Sequence, residues 1–181
     1  MKILISPYSQ KLPDNKRNPK NFPYWEKTIS LVKNKLPQAE IIQVGTNEEI
    51  PIKGITNLAH NYTPENLLKL TRTCNAWMSV DNFFQHFCTY YKVPNGIVIF
   101  GQSDPNIFGY PSNTNLLKNR NYLRQDQFLH WWHESVSYKE EVFVNAETVA
   151  ETLFKVLKVD YVLACHYQLQ PLAHQPFSLP I

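Results

Sequence analysis

The chain has 181 residues, 43 % of them hydrophobic and 18 % charged, and its formal net charge is +3. This length is typical of one domain, and the balance of apolar and charged residues excludes a disordered tail, a coiled coil and a membrane protein. A positive surplus of this size is too small to indicate nucleic-acid binding, so we expect no nucleic-acid partner. Glycine occurs only 5 times, and neither GxGxxG nor GxxxxGK[ST] is present, which excludes the glycine-rich phosphate loops.

The cysteines and the amino-terminal segment indicate the compartment. Cys74, Cys88 and Cys165 are scattered and contain no CxxC pair, so they predict neither a disulfide framework nor a zinc site. The segment after Lys2 contains too few apolar residues for a signal peptide. No stretch of the sequence approaches the roughly 20 apolar residues of a membrane span. We therefore expect a cytoplasmic protein with no membrane span.

Short apolar runs alternate along the chain with segments of helical spacing. The runs predict strands over residues 2–6, 40–45, 76–80 and 96–101. Helices are predicted from Pro23 to about Leu36, from Pro64 behind the cap Thr63, from Asp81 or Asn82 to about Tyr91, and from the cap Asn145 onwards. Near-continuous apolar strands between helices are typical of a doubly wound parallel α/β sheet, Rossmann-like, with helices on both faces. We assign residues 1–158 to this domain and residues 159–181, which carry three prolines, to an appended segment.

Ligands of open parallel sheets bind beyond the carboxyl ends of the strands. Three such places follow from the predicted strands: the loop after Ile5, the turn at Gly45 and the junction at Asp81. At the third place a helix begins directly after the strand, so the backbone amides of residues 82–84 and the helix dipole would form an anion site. We expect Asp81 to cap this helix and His86 to lie just over a turn further along it.

Four segments resemble, in the right order, the carboxyl-terminal half of one enzyme family. Residues 79–86 (SVDNFFQH) look like the Asp-(Ser/Thr)-Gly-x-x-His element of the heptosyltransferase-like glycosyltransferases, family nine of the two-Rossmann-domain GT-B type. Residues 97–105 (IVIFGQSDP), 20–25 (KNFPYW) and 45–49 (GTNEE) are similar to three further elements of that family. The resemblance covers residues 1–157, and it implies a Rossmann-like domain that binds a nucleotide-diphosphate sugar as donor substrate.

The resemblance also implies roles for residues at matching positions. Lys20 would neutralise the diphosphate as a mobile charge, and either Glu48 or Glu49 would accept hydrogen bonds from the ribose hydroxyls. The remaining residues would hold the diphosphate at the helix N-terminus: Asp81, Asn82 and His86. No metal or other cofactor is required, because the helix terminus and the lysine can take the charge.

Two departures from the family pattern bear on activity. Phe83 stands where the family has glycine, which could hinder the approach of a pyrophosphate to the backbone. No counterpart of the acceptor-binding domain, which supplies the catalytic base in that family, is present in the sequence. The catalytic residue is therefore unassigned, and we expect a partner chain or a second copy to complete the cleft.

Each candidate residue also has a plain structural interpretation. Asp81 could be only a helix cap, His86 a buried core residue, and Lys20 one member of a solvated basic loop, while the two glutamates could belong to a surface turn. His130 and His133, three residues apart, have no third ligand at a suitable spacing, so no metal site is expected. The alternative function is a non-catalytic module that retains the fold and binds a nucleotide or a partner protein.

Overall fold

The computed structural model describes residues 1–13, 16–60, 62–128 and 136–159. Its strands are β1 (Lys2–Ser6), β2 (Glu40–Gly45), β3 (Asn57–His60), β4 (Ala76–Val80), β5 (Gly96–Phe100) and β6 (Thr114–Leu117). Its α-helices are α1 (Trp25–Lys35), α2 (Pro64–Thr71), α3 (Phe83–Tyr90), α4 (Pro105–Phe108) and α5 (Ala146–Leu157). Two short 3₁₀ turns cover Arg120–Tyr122 and Glu140–Val142.

The strands form one sheet in the order β3-β2-β1-β4-β5-β6, and every neighbouring pair is parallel. In the middle of the sheet Ile3 of β1 is paired with both Ile41 of β2 and Ala76 of β4. The predicted doubly wound α/β fold is thereby confirmed. The strand order reverses between β1 and β4, so the loops that follow these two strands diverge and leave a crevice at their carboxyl ends.

Alternate residues of each central strand enter two different hydrophobic cores. Met78 and Val80 of β4 pack with residues of α1 and α5, whereas Trp77 packs on the other face with residues of α2 and α3. Because both faces of the sheet are covered, every residue of β4 and β5 is buried. This is why these strands are recognisable as near-continuous apolar runs in the sequence.

The edges of the sheet differ from the sequence prediction. β3 and β6 are strands that the sequence did not predict, and their outer positions are partly exposed, so they lack an apolar run. α1 begins at Trp25 rather than at Pro23, which lies in the preceding turn. β5 ends at Phe100, one residue before the predicted end, and is followed by a bend.

Val159 is 3 % exposed and packs into the core between the sheet, α1 and α5. The rest of the predicted appended segment, residues 160–181, lies outside the described residues. Within the residues that the structure describes, no helix combines the length and apolar character needed to cross a membrane.

Candidate functional site

The three ligand-binding places predicted from the sequence meet in a single cleft. It has a volume of about 890 Å³ and is lined by the loop after β1, the turn after β2 and the first turn of α3. Five of the six predicted site residues line it, namely Lys20, Glu49, Asp81, Asn82 and His86, whereas Glu48 does not. The cleft lies at the carboxyl ends of β1, β2 and β4, where the strand order reverses.

Asp81 lies at the base of the cleft and is held by contacts from three directions. Its Oδ2 is 2.7 Å from the Lys20 ammonium, and its Oδ1 accepts a hydrogen bond of 2.7 Å from Gln85 Nε2. The Ser9 hydroxyl donates to its backbone carbonyl at 2.8 Å. Asp81 is only 4 % exposed, so its ion pair with Lys20 is largely removed from solvent and is poorly screened by salt.

The cap of α3 is Asn82, and the prediction that Asp81 caps this helix is wrong. Asn82 Oδ1 accepts from the Phe84 amide at 2.9 Å, while Nδ2 donates to Ser6 Oγ at 3.0 Å and to the Tyr8 carbonyl at 2.9 Å. Both residue types are good caps, but the Asp81 side chain is turned towards Lys20 instead. Asn82 therefore occupies the Phe84 amide that was predicted to be free, and it ties the start of α3 to the loop after β1.

The two candidate glutamates lie in different surroundings. The Glu48 side chain is 76 % exposed and forms an ion pair of 3.3 Å with Lys11. Glu49 lines the cleft, and its Oε2 is buried with no hydrogen-bond partner among the described residues. Burial raises the pKa of Glu49 to about 7, although a hydrogen bond from the Thr46 backbone acts in the opposite direction. Of the two, only Glu49 is placed to meet a ligand in this cleft.

Gly45, the last residue of β2, makes room for the Glu49 carboxyl group. A Cβ atom at Gly45 would lie only 1.9 Å from Glu49 Oε2. Any larger residue at the end of β2 would therefore push this carboxyl group out of its position. The Tyr8 hydroxyl donates to the Ile50 carbonyl at 3.1 Å, and burial and the nearby Glu49 charge raise the pKa of this hydroxyl group.

The outer side of α3 carries two aromatic side chains at the rim of the cleft. His86 is exposed, and its Nδ1 is 2.8 Å from the Tyr110 hydroxyl. Phe83, the first residue of the helix, is 67 % exposed, and its ring centroid lies 5.8 Å from that of Phe87. His86 is thus a surface residue rather than a core residue, and Phe83 faces solvent instead of packing against the sheet.

Sequence reasoning missed several residues that shape this site. Tyr8 and Ser9 follow β1 and line the cleft, and the position rule for parallel sheets could have found them. Gln85 is fully buried and forms a hydrogen bond with Asp81. Tyr110 forms a hydrogen bond with His86. No local pattern in the sequence predicts these contacts, because they depend on how α3 lies on the sheet.

No family model matches the sequence, and no curated protein matches it significantly. Solved structures do match. The ADP-heptose LPS heptosyltransferase II of E. coli superimposes with a TM-score of 0.58 and 15 % sequence identity, covering 88 % of this chain and 47 % of that chain. TibC, a dodecameric iron-containing heptosyltransferase solved in complex with ADP-D-β-D-heptose, gives a TM-score of 0.54 at 14 % identity, covering 94 % of this chain and 47 % of that chain.

The chain thus has a glycosyltransferase-like fold, and it spans about half the length of the heptosyltransferases that it matches. The resemblance to these enzymes that the four sequence segments indicated is confirmed at the level of the fold. That the matching half is the carboxyl-terminal, nucleotide-sugar-binding one stays a prediction.

Residues 1–13, 16–60, 62–128 and 136–159 contain no group of three or more His, Cys, Asp or Glu side chains suited to a metal ion. His130 and His133 lie outside those ranges, as do His166 and His174.

Proposed function

We propose that this domain binds a nucleotide-diphosphate sugar in the cleft at the carboxyl ends of β1, β2 and β4. The observation that carries the proposal is the meeting of five residues, chosen from the sequence for this role, in one cleft at the reversal of strand order. In open α/β sheets this is the position at which nucleotides bind. The glycosyltransferase-like fold supports the same ligand class.

The diphosphate lies against the first turn of α3 and Lys20. Helix N-termini attract anions through their free amides and their dipole, and Lys20 adds a positive charge within the cleft. Asp81 positions the Lys20 ammonium through the 2.7 Å ion pair, and His86 lies at the rim of the same turn. Asn82 fixes this turn by its cap and by its hydrogen bonds to Ser6 and Tyr8.

Glu49 receives the ribose hydroxyls. Its buried Oε2 has no partner among the described residues, and a buried acceptor without a donor is unfavourable by about 1–3 kcal/mol. A turn of the side chain away from Gly45 would bring the carboxyl group into the cleft, where a ribose hydroxyl can donate to it. Glu48 is directed to the surface and paired with Lys11, and we assign it no contact with the ligand.

Transfer of the sugar, if the domain takes part in it, needs an acceptor site that a partner chain or a second copy supplies. The chemistry is displacement at the anomeric carbon, in which the bond to the nucleoside diphosphate breaks as the acceptor oxygen attacks. Lys20 and the N-terminus of α3 would stabilise the departing diphosphate. Donor binding here has no need of a metal ion, because these groups take the charge.

The test is a thermal-shift and calorimetric titration of the full chain with ADP, UDP and GDP and with sugars of each, with and without Mg²⁺. A ligand at a hundredfold excess over Kd stabilises the folded state by about 2.7 kcal/mol, which raises Tm by several degrees in a chain of this size. We expect at least one nucleoside diphosphate and its sugar conjugate to raise the Tm. No shift with any of them would contradict the proposal.

The second candidate function is a non-catalytic nucleotide-binding or partner-binding module. One observation favours it: Asp81 already pairs with the Lys20 ammonium at 2.7 Å, so less of the lysine charge is available to stabilise a departing diphosphate than to hold a bound one. The two functions differ in turnover. Transfer predicts release of nucleoside diphosphate from the donor when an acceptor is present, whereas a binding module leaves the nucleotide sugar intact after long incubation.

A further inference from the structure

We propose that Phe83 is the platform on which the sugar of the bound nucleotide sugar stacks, and that it is a specificity-determining residue for the glycosyl group. This inference rests on the proposed function, because it names the subsite that holds the sugar within the same cleft.

The surroundings of Phe83 fit a stacking residue. Phe83 lines the cleft and is 67 % exposed, whereas the next residue, Phe84, is 2 % exposed and packs into the core. Because Phe83 directly follows the cap Asn82, its backbone position is fixed by the hydrogen bonds that tie the start of α3 to the loop after β1. An aromatic ring presents a negative face, which packs favourably against the C–H groups of a sugar ring.

The order of groups across the cleft places the sugar on this side. Glu49 lies after β2, the Lys20–Asp81 pair joins the loop before α1 to the end of β4, and Phe83 begins α3 two residues after Asp81. In a nucleotide sugar with its ribose at Glu49 and its diphosphate between Lys20 and the backbone of the first turn of α3, the glycosyl group follows the diphosphate and lies against the Phe83 side chain. The glycosyl group then meets Phe83 and, one turn further, His86.

Tyr90 provides a matched control on the same helix. It is 78 % exposed, close to the value for Phe83, but it lies at the other end of α3 and does not line the cleft. Phe83→Ala and Tyr90→Ala therefore remove exposed aromatic rings of similar size from one helix, and neither change leaves a cavity in the core. A difference between the two variants reports on the cleft and not on the stability of α3.

The experiment is calorimetric titration of the full-length wild type, Phe83→Ala, Phe83→Tyr and Tyr90→Ala with ADP, UDP and GDP and with ADP-heptose, ADP-glucose, UDP-glucose and GDP-mannose. Among the nucleotides, one is expected to bind. For the sugar conjugate of that nucleotide, we expect Phe83→Ala to raise the Kd about three- to tenfold, the range for one aromatic contact. Affinity for the bare diphosphate should change less than twofold. Phe83→Tyr and Tyr90→Ala should both retain the affinity of the wild type for the nucleotide sugar.

Three results would overturn the inference, and they can be told apart. If Phe83→Ala weakens binding of the bare nucleoside diphosphate as much as binding of the nucleotide sugar, Phe83 supports the anion site and does not contact the sugar. If Phe83→Ala changes neither affinity, the sugar lies elsewhere in the cleft. If the wild type binds none of these compounds, the proposed function itself fails and the sugar platform fails with it.

Discussion

The Lys20 ammonium lies 2.7 Å from the Asp81 carboxylate, at the point where the strand order of the sheet reverses. The two residues are far apart in the sequence, and their contact joins the loop before α1 to the start of α3. Because Asp81 is 4 % exposed, each partner depends on the other for its charge to be compensated at the base of the cleft. A bound diphosphate would share Lys20 with Asp81.

Lys20→Met should destabilise the fold by about 2–4 kcal/mol, because it leaves the Asp81 carboxylate buried without its counter-ion. The double change Lys20→Met with Asp81→Asn should recover most of this loss, since it removes the unpaired charge. Urea denaturation of the two single variants and the double variant measures the coupling.

Lys11→Met is the control, because the ion pair of Lys11 with Glu48 is exposed. This variant should change the free energy of unfolding by less than about 0.5 kcal/mol. Additive effects of the Lys20 and Asp81 changes would contradict this account.

Asn82→Ala should destabilise the protein by more than the roughly 1 kcal/mol of a lost cap, because its side chain also donates to Ser6 and to the Tyr8 carbonyl. Asn145→Ala, which removes the cap of α5, shows the effect of a cap alone. Asn82→Asp keeps the cap acceptor but turns a carboxylate oxygen towards the Ser6 and Tyr8 carbonyls, so it should not recover the stability of the wild type. The free energy of unfolding from urea denaturation ranks the three variants. Equal losses for Asn82→Ala and Asn145→Ala would show that the ties to the loop after β1 contribute little.

Stability should fall as the pH rises from about 4.5 to about 7, through the titration of Glu49. Burial raises the pKa of this carboxyl group in the folded state from 4.5 to about 7, so between these values the folded state binds more protons than the unfolded state. By linkage, the free energy of unfolding then decreases with pH, and this contribution levels off above about 7. The measurement is urea denaturation at a series of pH values. Glu49→Gln should remove this decrease of the unfolding free energy with pH. Glu48→Gln, a change at an exposed carboxylate, is the control and should leave the decrease in place. An unchanged decrease in Glu49→Gln would show that the Glu49 carboxyl group is not buried as described.

Gly45→Ala should expel the Glu49 carboxyl group from its position, because the new Cβ would lie 1.9 Å from Oε2. The side chain can move outwards, so we expect a modest loss of stability but a pKa of Glu49 that returns towards the ordinary value of a glutamate. A carbon-detected NMR titration of the Glu49 carboxyl group follows this change directly. A pKa that stays near 7 in the variant would mean that Gly45 does not control the position of the carboxyl group.

The centre of the fold could be predicted from the sequence, whereas its edges could not. β1, β2, β4 and β5 are apolar runs because both faces of the sheet are covered there. β3 and β6 lie at the two edges, and exposed polar residues such as Asn57 in β3 and Thr114 in β6 interrupt their apolar pattern. Their place in the sheet depends on pairing with β2 and β5, which no local pattern indicates.

The region of the candidate site could likewise be predicted, but its contacts could not. The rule that ligands bind at the carboxyl ends of parallel strands selected the three segments that line the cleft. Two choices between neighbours needed the structure: Asn82 over Asp81 as the cap, and Glu49 over Glu48 as the residue in the cleft. Adjacent residues of similar chemistry differ only in the direction of their side chains, and that direction is set by tertiary contacts such as the one between Lys20 and Asp81.

We propose that a nucleotide-diphosphate sugar binds in the cleft between Glu49 and the start of α3. Backbone amide NMR spectra of the full chain, recorded during titration with the ADP, UDP and GDP sugars, test it most directly. We predict shift changes that saturate together in the loop after β1, at Glu49 and in the first turn of α3, while the amides of α5 on the opposite face of the sheet stay unchanged. Saturating changes confined to another part of the molecule, or none with any of these compounds, would contradict the account.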